Sequence, residues 1–131
     1  SFNMFVAALV LILFPLQSAS TLPDFPVIAT SFGPIRGFSY TADDGTEAQI
    51  FKRIPFASSP IGALRWRKPQ PPKPCNLTLD GTFFGPACAQ KTSKAGYRVA
   101  GYSEDCLYLN IFTSQRCRES NASCAVAFVV H

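Results

Sequence analysis

The chain has 131 residues, enough for one domain or a piece of one and too few for several. Twelve Lys and Arg against eight Asp and Glu leave a net charge of +4, a mild excess. Arg65, Arg67, Lys68 and Lys73 cluster, but no long basic stripe or recognisable module accompanies them, so the pattern excludes a nucleic-acid partner.

Residues 4–14 (MFVAALVLILF) form an uncharged apolar run, followed by Pro15 and small residues at Ser18, Ala19 and Ser20. That order predicts a secretory signal peptide over 1–20, with 21–131 as the mature part. The apolar run is too short to cross a bilayer as a helix, which needs about 20 residues, so no membrane span is expected in this chain. Residues 27–30 and 35–40 read as two short strands, with Gly33-Pro34 as the turn between them. Asp43-Asp44-Gly45 is a second turn, and 48–53 (AQIFKR) is a third strand, giving a small antiparallel meander. Residues 54–74 carry six prolines. Proline removes a backbone donor and fixes φ, so this stretch predicts an extended, surface-hugging segment without regular helix or central strand. Lys68, Pro71 and Pro74 have the spacing of an SH3 ligand, but such partners are cytosolic, and a rigid connector fits an exported chain better.

Residues 79–84 are ambiguous, and 88–102 read as a loop of small and polar residues. Leu107, Leu109 and Ile111 alternate with Tyr108, Asn110 and Phe112, which predicts a strand with unequal faces. Residues 115–123 read as a polar turn. The run 125–130 (AVAFVV) is continuously apolar and predicts a strand buried on both faces, as in a parallel sheet.

The five cysteines are Cys75, Cys88, Cys106, Cys117 and Cys124, which in an exported chain read as disulfide partners with one left over. Cys117 and Cys124 bracket the polar turn and could close a second, smaller loop, which would leave Cys75 single. No C-x-x-C occurs and the sole histidine is His131, so neither zinc nor another cofactor is expected. Asn76-Leu77-Thr78 and Asn121-Ala122-Ser123 are N-glycosylation sequons and belong on exposed loops. A Ser-His-acid triad needs a histidine as general base, and one terminal histidine makes a self-contained triad untenable. The nearest approach to a G-x-S-x-G elbow, Gly101-Tyr102-Ser103-Glu104-Asp105, ends in Asp and precedes a strand, so Ser103 reads as structural. Glu104 and Asp105 are adjacent and would point to opposite faces of a strand, unlike the paired carboxyls of a glycosidase.

Several motifs recur in a fixed order. They are Gly33-x-Ile35-Arg36-Gly37, Phe51-x-x-Ile54-Pro55-Phe56-Ala57, and Pro60-x-Gly62-x-Leu64-Arg65-Trp66-x-x-Pro69. Phe84-Gly85-Pro86-x-Cys88-x-Gln90 and Ser103-Glu104-Asp105-Cys106-Leu107-Tyr108-Leu109-Asn110-Ile111 follow. In this order and spacing the series resembles the type-B carboxylesterase and cholinesterase family over about residues 27–131. The resemblance implies the N-terminal portion of an α/β-hydrolase fold, incomplete here, holding an antiparallel meander, a proline-rich extended segment and the first strands of the central sheet. It implies a Cys88–Cys106 disulfide, worth roughly 3 kcal/mol in the chain-entropy model. It also implies a buried ion pair between Arg65 and Glu104, in which loss of one partner strands a charge at a cost of about 3–5 kcal/mol. Arg65→Leu is then expected to block secretion of the full-length protein. Cys75 stands where the family commonly has tryptophan, and Arg53 where it usually has glycine.

His131 aligns with the first residue of the family's H-G-G-G segment, whose glycine N–H groups form the oxyanion hole. Those glycines and the whole catalytic triad lie beyond this chain, so no residue of it is assigned a catalytic role. The implied function is the N-terminal part of a secreted, extracellular serine esterase acting on a small-molecule carboxylic ester. The alternative is a non-catalytic adhesion member of the same fold, of neuroligin type. A small disulfide-rich domain unrelated to hydrolases does not account for the ordered motifs. The chain alone is expected to hydrolyse nothing.

Overall fold

The computed structural model describes residues 25–90, 101–119 and 123–130. The expected signal segment, 1–20, lies outside them. Strands β1 (Val27–Thr30) and β2 (Gly33–Arg36) form an antiparallel hairpin with Val27 opposite Arg36 and Thr30 opposite Gly33. Its turn is Ser31-Phe32, not the expected Gly33-Pro34. Thr30 supplies the reason: its hydroxyl donates to the Gly33 carbonyl at 2.6 Å and accepts from the Phe32 N–H at 3.4 Å. A threonine that bonds its own backbone in this way sets a turn locally. Gly33 is therefore inside β2. Its φ of +144°, and a site where a Cβ would collide with the Cys75 carbonyl, admit only glycine.

The single strand expected over 35–40 is divided at Gly37. This residue is buried, and a Cβ on it would lie 2.5 Å from Phe51 Cδ1. Such close packing turns the chain, so β2 and β3 (Phe38–Thr41) enter different sheets. The expected single meander is in fact two three-stranded sheets, ordered β1-β2-β5 and β3-β4-β6. Strand β5 (Leu79–Asp80) runs parallel to β2, while β3 and β6 (Tyr108–Thr113) flank the long β4 (Glu47–Pro55) antiparallel to it. The chain enters β4 through the turn expected at Asp43-Asp44-Gly45. There the Thr46 N–H donates to the Asp44 carboxylate at 2.9 Å, and hydrogen bonding from Thr46 holds that carboxyl below its ordinary range.

Ile35 of β2 and Phe51 and Ile54 of β4 form the buried centre, with Ile28, Phe32, Leu79 and Leu109 packed on it. One small core thus ties both sheets together, and burying each large apolar side chain contributes about 1.5–3 kcal/mol. Strand β4 runs as far as Pro55, placing the proline at a strand end where no ladder N–H is lost. The rest of the proline-rich segment has only a 3₁₀ turn at Gly62–Leu64. It folds back on itself: the Ser58 N–H donates to the Gln70 carbonyl at 2.8 Å and the Ser58 hydroxyl to the Pro71 carbonyl at 2.7 Å.

After β6 the expected polar turn begins instead as a short helix, α1 (Gln115–Glu119). Ser114 caps it by accepting the Cys117 N–H at 3.2 Å. Arg118 of α1 donates to Oε1 of Gln49, a buried polar residue of β4, and so satisfies it. The run 125–130, expected as a buried strand, pairs with nothing among the described residues. Val126 is 88% and Phe128 81% exposed. No helix among the described residues is long and apolar enough to cross a membrane.

Candidate functional site

Residues 103–111 link most of the chain's separate pieces. The Ser103 N–H donates to the Ala87 carbonyl at 3.0 Å, and the Ala87 N–H donates to the Gly101 carbonyl at 2.8 Å, anchoring the segment beside residue 87. The Ser103 hydroxyl accepts the Asp105 N–H at 3.0 Å, a local turn bond, which gives this serine a structural role. Asp105 in turn accepts the Ser59 hydroxyl at 2.6 Å, tying down the proline-rich segment. Cys106 is joined to Cys88, with their Cα atoms 5.0 Å apart. The Leu107 carbonyl accepts the Phe56 N–H at 3.2 Å, and Leu109 reaches the core.

Arg65 and Glu104 form an ion pair at 2.6 Å. The expectation that it is buried is corrected: the two side chains are 54% and 51% exposed, since no layer among the described residues covers them. An exposed pair of this kind contributes only about 0–1 kcal/mol.

Across from Asn110, β4 carries an extra residue. Phe51 faces Ile111 and Ile54 faces Leu109, so Lys52 and Arg53 together oppose Asn110, a β-bulge. Arg53 sits in it at φ +53°, the left-handed region that favours glycine. Two things compensate. The Asn110 side-chain oxygen accepts the Arg53 N–H at 3.2 Å, and the guanidinium lies 5.1 Å and 5.5 Å from the ring centres of Phe83 and Tyr108. The backbone strain costs about 1–2 kcal/mol. Each stack returns about 0.5–1 kcal/mol, so strain and compensation nearly balance. Burial pushes the Tyr108 phenol above its ordinary value of 10.0, and the Asp105 carboxylate adds to that shift.

Cys117 and Cys124 form a second disulfide with Cα atoms 6.0 Å apart, and Cys75 is a free, half-buried thiol. Asn76 lies on an exposed bend. Asn121 and His131 lie outside the described residues. The site therefore brings together Cys88, Cys106, Arg65 and Glu104, and leaves Asn76, Cys117 and Cys124 elsewhere. Among the described residues no histidine stands near Ser59 or Ser103. Among the described residues the arrangement positions backbone and pairs no nucleophile with a base. Sequence reasoning missed the bulge partner Asn110, the Ser59–Asp105 bond and the Arg36–Asp80 ion pair at 2.9 Å. The polar Asn110 inside an alternating strand was the available signal for the first. Hydrogen bonds from Thr82, and then Arg36, hold the Asp80 carboxyl below its ordinary range, and Asp-x-Thr spacing signals that turn.

Residues 24–131 match the family described as "Carboxylesterase family". The chain is 38% identical over 90 residues to juvenile hormone esterase of Tribolium castaneum and 43% identical over 96 residues to fumonisin B1 esterase of Sphingopyxis macrogoltabida. It is 42% identical over 94 residues to acetylcholinesterase of Bungarus fasciatus. These alignments cover 69%, 70% and 65% of this chain but 15%, 18% and 15% of the relatives, so the chain spans less than one fifth of their length. Among solved structures it is similar to juvenile hormone esterase from Manduca sexta with OTFP covalently attached, at a TM-score of 0.64 and 35% identity. That superposition covers 68% of this chain and 17% of the other.

Proposed function

This chain belongs to the carboxylesterase family, and on that premise we propose that it is the N-terminal part of an exported serine hydrolase of carboxylic esters with the α/β-hydrolase fold. The observation that carries the reading is the family match over residues 24–131, shared with relatives named as esterases, of which this chain covers 15–18%. In this reading the catalytic serine, acid and histidine lie in the remainder of a longer protein. The serine attacks the ester carbonyl with histidine as general base, and water then releases the acyl group. Backbone N–H groups following His131 stabilise the oxyanion. Residues 1–20 direct export, and residues 103–111 with Cys88 lock the N-terminal sheets in place. In this reading the serine, acid and histidine carry the chemistry, and the small-molecule ester is the partner.

The test is to extend the transcript past His131 and express the longer protein. The expected result is hydrolysis of nitrophenyl acetate, abolished by a fluorophosphonate that labels an active serine. The 131-residue chain alone is expected to match a heat-treated control. A longer protein that lacks a G-x-S-x-G serine, or that carries one and hydrolyses no simple ester, overturns the reading.

A further inference from the structure

We propose that the face of the β3-β4-β6 sheet turned away from the core is a binding groove for a single amphipathic anion, with an apolar tail along the sheet and a carboxylate at Lys52. This goes beyond the ester-hydrolase reading and does not depend on it.

Strand alternation sets the groove. Phe38 stands opposite Ile50, Tyr40 opposite Ala48, and Ile50 opposite Phe112, so these side chains share one face of the sheet. Phe51 belongs to the other face, where the core lies. The extra residue of the bulge returns Ile54 to the core side beside Phe51 and leaves Lys52 as the last side chain of β4 on the outer face. Tyr40 is 51% and Phe112 61% exposed, and the groove they line with Phe38, Ala48, Ile50 and Lys52 has a volume of about 610 Å³. Small-molecule sites run from roughly 300 to 1,000 Å³ and are mostly apolar with few polar groups. From Glu47 to Lys52 the strand covers about 17 Å at the rise of an extended chain, which suits a linear tail better than a compact ring.

The two ends of the groove differ in charge. At one end Lys52 Nζ lies 4.8 Å from the ring centre of Phe38 and 4.0 Å from that of Phe84. Lys52 is half-buried, yet none of the ion pairs among the described residues includes it. Lysine is seldom withdrawn from water unless it is paired. Aromatic rings stabilise a cation without neutralising it, so the ammonium keeps its charge and its donors for an oxyanion. At the other end, beside Ala42 and Thr46, the turn carries the exposed carboxylates of Asp43, Asp44 and Glu47. They repel an anionic head and so fix its direction, head at Lys52 and tail toward the turn. A neutral apolar ligand leaves the ammonium unsatisfied. An anionic bilayer surface is recognised by clusters of basic residues, and a single lysine at the end of an apolar groove is not one.

The experiment uses the longer protein obtained by extending the transcript past His131, treated first with a fluorophosphonate so that no reactive-serine pocket competes. Below their micelle concentrations, dodecanoate is expected to displace the fluorescent carboxylate cis-parinarate. Dodecanol, with the same tail and no charge, is expected to do so about tenfold more weakly or worse. That comparison needs no variant to fold. Lys52→Met, which keeps the stem and drops the charge, should weaken dodecanoate by about tenfold and leave dodecanol unchanged, and Lys52→Arg should recover most of the loss. Equal binding of dodecanoate and dodecanol overturns the proposal, as does dodecanoate binding that Lys52→Met leaves untouched. Binding to phosphatidylglycerol vesicles with none of free dodecanoate also overturns it, by making the face a membrane contact. So does the absence of any binding to the longer protein, because the remainder of that protein or a second copy then occupies the face. Loss of ester hydrolysis with dodecanoate still held at Lys52 sinks the enzyme reading alone.

Discussion

Residues 108–113 and 125–130 are alike in composition and opposite in outcome. Both are six residues long, mostly apolar and rich in strand-forming side chains, yet the first is β6 and the second pairs with nothing among the described residues. Strand β6 has β4 alongside it, the core beneath Leu109, and a disulfide at Cys106 fixing its approach. The run 125–130 has a disulfide at Cys124 too, but no ladder among the described residues. A staple brings a strand-former into place; only a neighbour makes it a strand, because what is called β-propensity is largely packing against the next strand.

The contrast predicts where the chain is sensitive. Phe51→Ala strikes the largest side chain of the core that the two sheets share, itself 1% exposed, and should cost about 3–5 kcal/mol in denaturant unfolding. A loss below about 1 kcal/mol would mean the two sheets do not share a core. At the bulge, Arg53→Ala removes both stacks while keeping the left-handed strain, and should destabilise by about 1–2 kcal/mol. Arg53→Gly removes strain and stacks together, and should fall within about 1 kcal/mol of the parent. Equal effects of the two substitutions would show that the backbone there is unstrained. Arg65→Leu, at an exposed ion pair, should cost about 0–1 kcal/mol and less as salt rises. A salt-independent loss of about 3–5 kcal/mol would restore the buried pair that the family resemblance implies.

The sequence disclosed what depends on local chemistry. The Asp43-Asp44-Gly45 turn, the proline-rich segment without regular helix and the alternation that makes β6 were all legible, because each follows from residue type and period. The division at Gly37 was not. Ile35, Phe38 and Tyr40 read as one apolar segment, and only the contact of Gly37 with Phe51, fourteen positions on, shows why the chain turns there. Strand β5 escaped for a related reason: two residues carry no periodicity, and its pairing partner β2 is distant in sequence. Helix α1 is also too short for a periodic signal, although the Ser114 cap ahead of Gln115, Arg116 and Arg118 was available to be read. At the site, residue identities were legible and their environment was not. Arg65 and Glu104 do meet, but whether a pair is covered depends on the layers around it, about which the two residues are silent.

The smallest effect sharpens the opening contrast most. Phe128 is 81% exposed, so Phe128→Glu removes little buried area in the folded chain and should leave the unfolding free energy within about 0.5 kcal/mol of the parent. Its effect should appear elsewhere. An apolar, uncharged run of strand-formers with no strand beside it among the described residues is a template for edge-to-edge association between copies, and one charge in its middle interrupts that pairing. Light scattering against concentration should therefore show the parent associating and the variant staying dispersed under reducing conditions, where Cys75 cannot link copies. A loss of several kcal/mol in the variant would mean that Phe128 already has a strand or core to pack on, and the distinction between residues 108–113 and 125–130 would collapse.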